Sequence, residues 1–348
     1  MKIVVFGAGS IGTYIGGALL AAGADVLLIG RARMGERIAR HGLLLTDLRG
    51  GRTELAGARV PYSEDPGKLA GADLILVTVK SADTPAAADA IHAYAKPSAL
   101  VLSLQNGVGN AELLRARLAG LNVLAGMVPF NVVQMADGRF HRGTEGELTV
   151  EASPYIGRWH AVFETARLPL LERNDFLAVQ WGKLLLNLNN PVNALSGLPL
   201  KTELSQRAYR RCLALLIEET LTVLRAAGIA PAKVARVGPR LLPVLLRLPD
   251  ALFKRIAVAM LRIDPEARSS MWEDLQAGRR TEIDYLNGAV VKLAASRGRQ
   301  APANRRIVAL IRATEAGQGV ELDGKTLYRA LTSGTAMNDS VPTQVSSK

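Results

Sequence analysis

A chain of 348 residues with a single cysteine, Cys212, is long enough to bury two cores and cannot close an intramolecular disulfide or build a cysteine-based zinc site. Its formal charge of +12 comes from 32 arginines and 11 lysines scattered along the whole length. That distribution reads as a solvated surface, or as a field that draws in anionic ligands, and not as the clustered basic face of a nucleic-acid binder. No apolar run reaches the roughly 18 residues of a membrane span, and Met1 leads into a strand-like segment without a leader pattern. The expectation is a cytoplasmic protein with neither membrane nor nucleic acid among its partners.

In chain order, residues 2–6 (KIVVF) form a buried-strand run, and Gly7-Ala8-Gly9-Ser10-Ile11-Gly12 leads from it into a helix that ends near Gly23. Strand, glycine turn and helix in that order are what a dinucleotide needs. Gly7 allows a tight turn, Gly9 lets backbone approach a pyrophosphate, Gly12 allows close helix packing, and the phosphates rest on a helix N-terminus at Ser10 and Ile11. A purely structural glycine turn is the alternative. The second strand, residues 25–29 (DVLLI), ends in Gly30-Arg31, where an NAD site would carry a carboxylate for the ribose hydroxyls. Arg31, with Arg33 nearby, suits a ribose 2′-phosphate and so favours NADP(H), although a plain surface arginine would look the same.

Further strands fall at 73–79 (DLILVTV) and 99–104 (ALVLSL), followed by Lys80 and by Asn106-Gly107. Both sites sit at strand carboxyl ends, where open α/β sheets bind ligands. Lys80 can place charge near the cofactor or be a solvated lysine. Asn106 can hydrogen-bond nicotinamide or substrate, or merely start a turn. Residues 140–151 (FHRGTEGELTVE) predict a hairpin that extends the sheet. From about 175 helical periodicity takes over, through 178–190, 206–227 and 281–296. The fold class is therefore α/β: a Rossmann-type, doubly wound parallel sheet over 1–174, then an all-α domain over 175–320 and a partly disordered tail over 321–348, rich in Ser and Thr from 332.

In the helical half, Lys183 and Asn187 stand four residues apart and share a face otherwise flanked by leucines. A lysine in an apolar cleft has its pKa drawn down towards the working range and can protonate a carbonyl oxygen as hydride reaches the carbon, with Asn187 orienting that oxygen. A lysine snorkelling from a helix edge is the bland reading. Ser270 can bind a carboxylate or hydroxyl. Glu282 can pair with Lys183 or a substrate hydroxyl, while Thr281-Glu282 reads equally well as a helix start. All four histidines, at 41, 92, 141 and 160, lie outside these segments, which disfavours a histidine acid.

Together GAGSIG at 7–12, VTVKS at 77–81, QNGVGN at 105–110, KLLLN at 183–187, SSM at 269–271 and TEIDYLNG at 281–288 resemble the ketopantoate reductase family, over nearly all of residues 1–315. The resemblance implies NADPH-dependent reduction of 2-dehydropantoate to (R)-pantoate in pantothenate biosynthesis, on a homodimer. It implies that Arg31 and Lys80 contact the 2′-phosphate side, that Asn106 lies beside the nicotinamide and substrate, and that Lys183 is the general acid. Glu282 would orient the oxo acid, with Asn187 and Ser270 bonded to it. Three departures concern the substrate. The family's asparagine before a proline comes eight residues after the lysine, whereas Asn190 precedes Pro191 at seven, leaving Asn189, Asn190 or Asn193, with Asn190 favoured. Leu200 stands where a further asparagine is expected, and 231–265 is long, with a basic amphipathic stretch at 251–263. That region could reshape or cover the pocket, build an interface, or be an extra helical hairpin. The alternatives are a reductase for another branched 2-oxo acid and a non-catalytic NADPH sensor.

Overall fold

The computed structural model describes residues 1–135, 137–233, 237–257, 266–319 and 321–333. Its strands are β1 (Lys2–Phe6), β2 (Asp25–Ile29), β3 (Leu43–Asp47), β4 (Arg52–Leu55), β5 (Tyr62–Ser63), β6 (Leu74–Val77), β7 (Leu100–Ser103), β8 (Asn122–Met127), β9 (Val132–Gln134), β10 (Arg139–Arg142), β11 (Leu148–Glu151) and β12 (Leu170–Arg173). The large sheet runs β12-β11-β8-β7-β6-β1-β2-β5 and is parallel from β8 to β5, while β11 turns antiparallel to β8. Strands β6 and β7 are unbroken apolar or small runs buried at every position, as a parallel strand covered on both faces must be. Alternate residues of β1 serve opposite layers. Ile3 and Val5 pack with Ile15 and Leu19 of α1 (Ser10–Ala21), Ile38 of α2 (Ala32–His41) and, beyond α3 (Thr84–Tyr94) and α4 (Asn110–Arg117), with Phe163 of α5 (His160–Thr165). Val4 packs instead with Ala87 and Ile91 of α3 and Leu114 of α4. The sheet is therefore doubly wound, and its carboxyl edge presents Gly7, Lys80 and Asn106 together.

The predicted hairpin over 140–151 does not form. Strand β10 joins a second, four-stranded sheet, β4-β3-β10-β9, parallel to β3, while β11 crosses to the large sheet. Phe140 is fully buried in the core that holds Leu43 and Leu45, and Gly146 makes the crossing at φ +135°, so long-range burial overrides local pairing.

Beyond Arg173 the described residues contain no strand. The helices are α6 (Phe176–Asn187), α7 (Asn189–Ser196), α8 (Leu200–Leu204), α9 (Arg207–Ala226), α10 (Leu242–Leu246), α11 (Asp250–Ile256), α12 (Ser270–Gln276), α13 (Asn287–Ser296), α14 (Pro302–Glu315) and α15 (Gly324–Thr332). The helix expected over 178–190 breaks after Asn187, because Pro191 has no N–H to offer the Asn187 carbonyl. Helix α9 is the hub, and the buried Cys212 on it has its thiol pushed up to about 12 by burial and by the nearby Glu203. Residues 324–332, assigned from sequence to the tail, instead form α15: Leu327 and Leu331 are buried against the helical core, and Asp323 caps the amides of Lys325 and Thr326. The remainder of that tail, 334–348, lies outside the described residues. No helix among the described residues is long and apolar enough to cross a membrane.

Of the long 231–265 stretch, α10 and α11 pack onto the helical domain as an added layer. Arg210, fully buried on α9, donates to the carbonyls of Leu204, Leu246 and Leu248, pairs with Asp250 at 2.9 Å and stacks on Phe253 at 4.1 Å. The basic stretch at 251–263 is helical to Ile256, and its residues 258–263 lie outside the described residues. Replacing Arg210 with methionine should detach this layer, seen as increased amide exchange over 242–256 with the sheet domain unaffected.

Candidate active site

The three glycines of the first turn have separate jobs. Gly7 sits at φ +115°, and a Cβ there would lie 2.5 Å from the amide nitrogen of Val79. A Cβ on Gly12 would overlap the Gly7 carbonyl oxygen and the hydroxyl of Thr78, which donates to that same carbonyl at 2.7 Å. A Cβ on Gly9 would meet nothing within 4 Å. The turn is thus locked from behind and open in front, above the uncapped start of α1, which is the shape a pyrophosphate occupies. Gly7→Ala is expected to cost about 3 kcal/mol or more through strain and overlap with fixed backbone, measured by denaturant unfolding.

At the end of β2, Gly30 stands where an acidic side chain would be needed, and the space is taken. A Cβ there would lie 2.5 Å from the hydroxyl of Tyr62, which donates to the Arg31 carbonyl at 2.8 Å. The Arg31 guanidinium is 87% exposed and, among the described residues, meets only Asp83, at 3.4 Å. A weakly held, solvated arginine beside the glycine turn can turn to a phosphate at little cost.

The Lys80 ammonium is bound to Asp274 on α12 at 2.9 Å and lies 3.9 Å from Glu282. Burial pulls the Lys80 pKa down, but the carboxylates of Glu282 and Asp274 outweigh this and leave it raised. The Lys80 charge thus faces carboxylates of the helical domain, and its side chain stays half exposed. Glu282, buried, accepts from the Ser81 amide at 3.1 Å, the Ser81 hydroxyl at 2.9 Å and the Asn106 side chain at 3.4 Å. It makes no ion pair with Lys183, which leaves the substrate hydroxyl of the two sequence readings. Asn110 holds this corner by donating to the Asn106 carbonyl at 2.7 Å and to Ser81 at 3.1 Å. Thr281 supplies the turn signal, its hydroxyl accepting from the Ile283 amide, which frees Glu282 to face the other domain.

Sequence reasoning missed Ser81, Asn110 and Asp274. Asp274 is 3% exposed and shared by Lys80 and Arg279, a burial that depends on a lysine 194 residues away.

Lys183 lies on α6. Its ammonium donates to the carbonyl of Pro129 in the sheet domain at 3.4 Å, and burial alone lowers its pKa to about 8, with no charged neighbour contributing. One turn on, the Asn187 side chain makes no hydrogen bond among the described residues. The three candidate asparagines separate cleanly. Asn189 and Asn193 bond to Glu203, and Asn193 also to Leu198 and to the Ser269 amide, whereas the Asn190 side chain is uncommitted. Ser269 caps α12, accepting from the Trp272 amide, and donates to the Asn190 carbonyl, leaving Ser270 exposed with a free hydroxyl. Leu200 begins α8, held by its own amide to the Ala267 carbonyl at 2.8 Å.

A doubly wound nucleotide-binding sheet, a helical domain across its carboxyl edge and a desolvated lysine at the junction define the class of dinucleotide-dependent, two-domain oxidoreductases. Comparison with known proteins gives the family. The model for ketopantoate reductase PanE/ApbA matches residues 3–155, and that for its C-terminal domain matches 175–315. A PanE/ApbA family ketopantoate reductase from Ralstonia eutropha superposes with TM-score 0.77 at 34% identity, covering 91% of this chain and 99% of that one. The 2-dehydropantoate 2-reductase of Halobacterium salinarum is 28% identical over 325 residues, 90% of this chain and 98% of that protein. A D-mandelate dehydrogenase solved with NADH and anilino(oxo)acetate shares the fold, with TM-score 0.74 at 21% identity and coverage of 91% and 99%. The chain belongs to the ketopantoate reductase PanE/ApbA family.

Proposed function

We propose that this protein reduces the ketone of a small 2-oxo acid with NADPH, with 2-dehydropantoate as the substrate and (R)-pantoate as the product, in the cytoplasm. The observation that carries the proposal is Lys183: a lysine drawn down to about 8 by burial alone, between the two domains, with uncommitted amides at Asn187 and Asn190 beside it in the chain. When bound, the nicotinamide supplies hydride to the ketone carbon. As the carbonyl π pair moves onto oxygen, the Lys183 ammonium gives that oxygen its proton and is left as the neutral amine, which solvent reprotonates. Asn187 and Asn190 orient the oxo acid, Ser270 binds its polar end, and Glu282, together with Asn106, helps to hold it.

The preference for NADPH rests on Arg31 and on the absence of room for a carboxylate at Gly30. Arg31→Ala should raise the KM for NADPH about 10- to 100-fold and leave that for NADH nearly unchanged, because a charge-assisted phosphate contact is lost. Following NADPH and NADH absorbance with 2-dehydropantoate and a panel of 2-oxo acids tests the function. Fast oxidation of NADPH by 2-dehydropantoate supports it. Oxidation by bulkier acids alone supports the second reading, which Leu200 favours because it cannot hydrogen-bond a substrate hydroxyl. Tight NADPH binding with no oxidation across the panel would indicate a sensor. The homodimer suggested by resemblance is checked by sedimentation.

A further inference from the structure

Among the described residues, the Glu203 carboxyl is the most deeply buried acid in the helical domain that the chemistry above does not use. It has no exposed surface, no cation among those residues pairs with it, and burial pushes it up to about 8 against the weaker opposing effect of two amide donors. Those donors are Asn189 at 2.9 Å and Asn193 at 3.4 Å, both to Oε2. Its other oxygen, Oε1, is buried without a partner, and so is Oδ1 of Asn189, the side chain already bonded to it. A buried carboxylate oxygen that no donor reaches disfavours the charged form of the group.

The cluster does not end at Glu203. Asn193 uses its Oδ1 to accept from the Ser269 amide at 2.9 Å, and the Ser269 hydroxyl donates to the Asn190 carbonyl at 3.1 Å while capping α12. Helix α7 is thereby tied to α8 through the Glu203 carboxyl and to α12 through Asn193 and Ser269. Asn190 sits between the two bonded asparagines, and Ser270 follows the bonded serine.

We propose that Glu203, held as a neutral carboxylic acid, is a positioning residue that sets where Asn190 and Ser270 stand towards the oxo acid. The proposal rests on the substrate roles given above to those two residues. The titratable groups that feel Glu203 are Tyr209 and Cys212 on α9, both pushed up by burial first and so uncharged near neutral pH, and neither α7 nor α12 turns a charge towards it. Arg210, next to Tyr209, points its guanidinium to the Leu204, Leu246 and Leu248 carbonyls and to Asp250.

Because the folded chain keeps a proton that the unfolded chain sheds, Glu203 withdraws stability as pH rises from about 4.5 to about 8, and levels off beyond. Glu203→Gln keeps the shape and cannot ionise. Its Tm should fall less than that of the wild-type protein over that interval, with kcat/KM near pH 6.5 within about threefold of wild type. Glu203→Leu should raise KM for the oxo acid by about tenfold or more and leave KM for NADPH unchanged. It should also speed amide exchange over 189–193 and 269–272. Identical Tm profiles for wild type and Glu203→Gln would overturn the neutral acid. Unaltered exchange in Glu203→Leu would overturn the positioning role. The exchange and Tm readouts need no turnover, so failure of every oxo acid to react would count against the proposed function alone.

Discussion

Replacing Lys183 with methionine should lower kcat by about three orders of magnitude and leave the Kd for NADPH within a factor of about two, since a general acid acts in the transition state and not in cofactor binding. The pH dependence provides an independent check. The acid form is populated below the lowered value of about 8, so wild-type reduction should be flat at lower pH and fall about tenfold per unit above it, while the reverse oxidation rises. Stability has the opposite sign to what a surface lysine would give. The unfolded chain binds the proton up to about 10.5 and the folded chain only to about 8, so the cost of burying Lys183 is present below pH 8 and is relieved as pH rises between the two. Lys183→Met should therefore raise Tm near neutral pH while abolishing activity, a trade expected of a group held in a hostile site for its chemistry. Full turnover in the variant would remove Lys183 as the acid.

The second large effect is at Glu282. Glu282→Ala strips the buried Ser81 amide of its acceptor, removes the Asn106 contact and leaves Lys80 with Asp274 as its remaining carboxylate. Unfolding free energy should fall by about 2–3 kcal/mol, discounted for a lysine that is half exposed. The kcat/KM for the oxo acid should drop about 100-fold, because the two domains lose the bond that sets their spacing. Guanidinium titration and steady-state kinetics on one preparation separate the two effects. A stability loss with normal kinetics would make Glu282 a purely structural residue.

The parts of this molecule that were readable in advance are those whose signal is local. A glycine turn between a strand and a helix, apolar strand runs, and a lysine stranded among leucines each declare their chemistry within a dozen residues. What escaped notice depends on distant partners. Lys80 read as charge near a cofactor or as a solvated lysine, and its pairing with Asp274 left no trace because Asp274 is remote in sequence. Glu203 sits in the unremarkable run Leu200-Lys201-Thr202-Glu203, where nothing marks an acid about to be buried. Phe140 and Val150 belong to one stretch of alternating residues yet enter different sheets, since register carries no record of which edge is free. Leu327 and Leu331 dock a helix on the preformed helical core, a contact that composition alone does not show.

The single thiol has a practical consequence. Cys212 is fully buried and its thiolate is disfavoured, so alkylating dyes and spin labels have no native target while the protein is folded. A cysteine added at Tyr94 in the sheet domain and another at Leu241 in the helical domain, both exposed, would be the only reactive pair. The unmodified sequence is thus already a cysteine-silent background for distance spectroscopy, in which interdomain movement on adding nucleotide or oxo acid can be followed in solution.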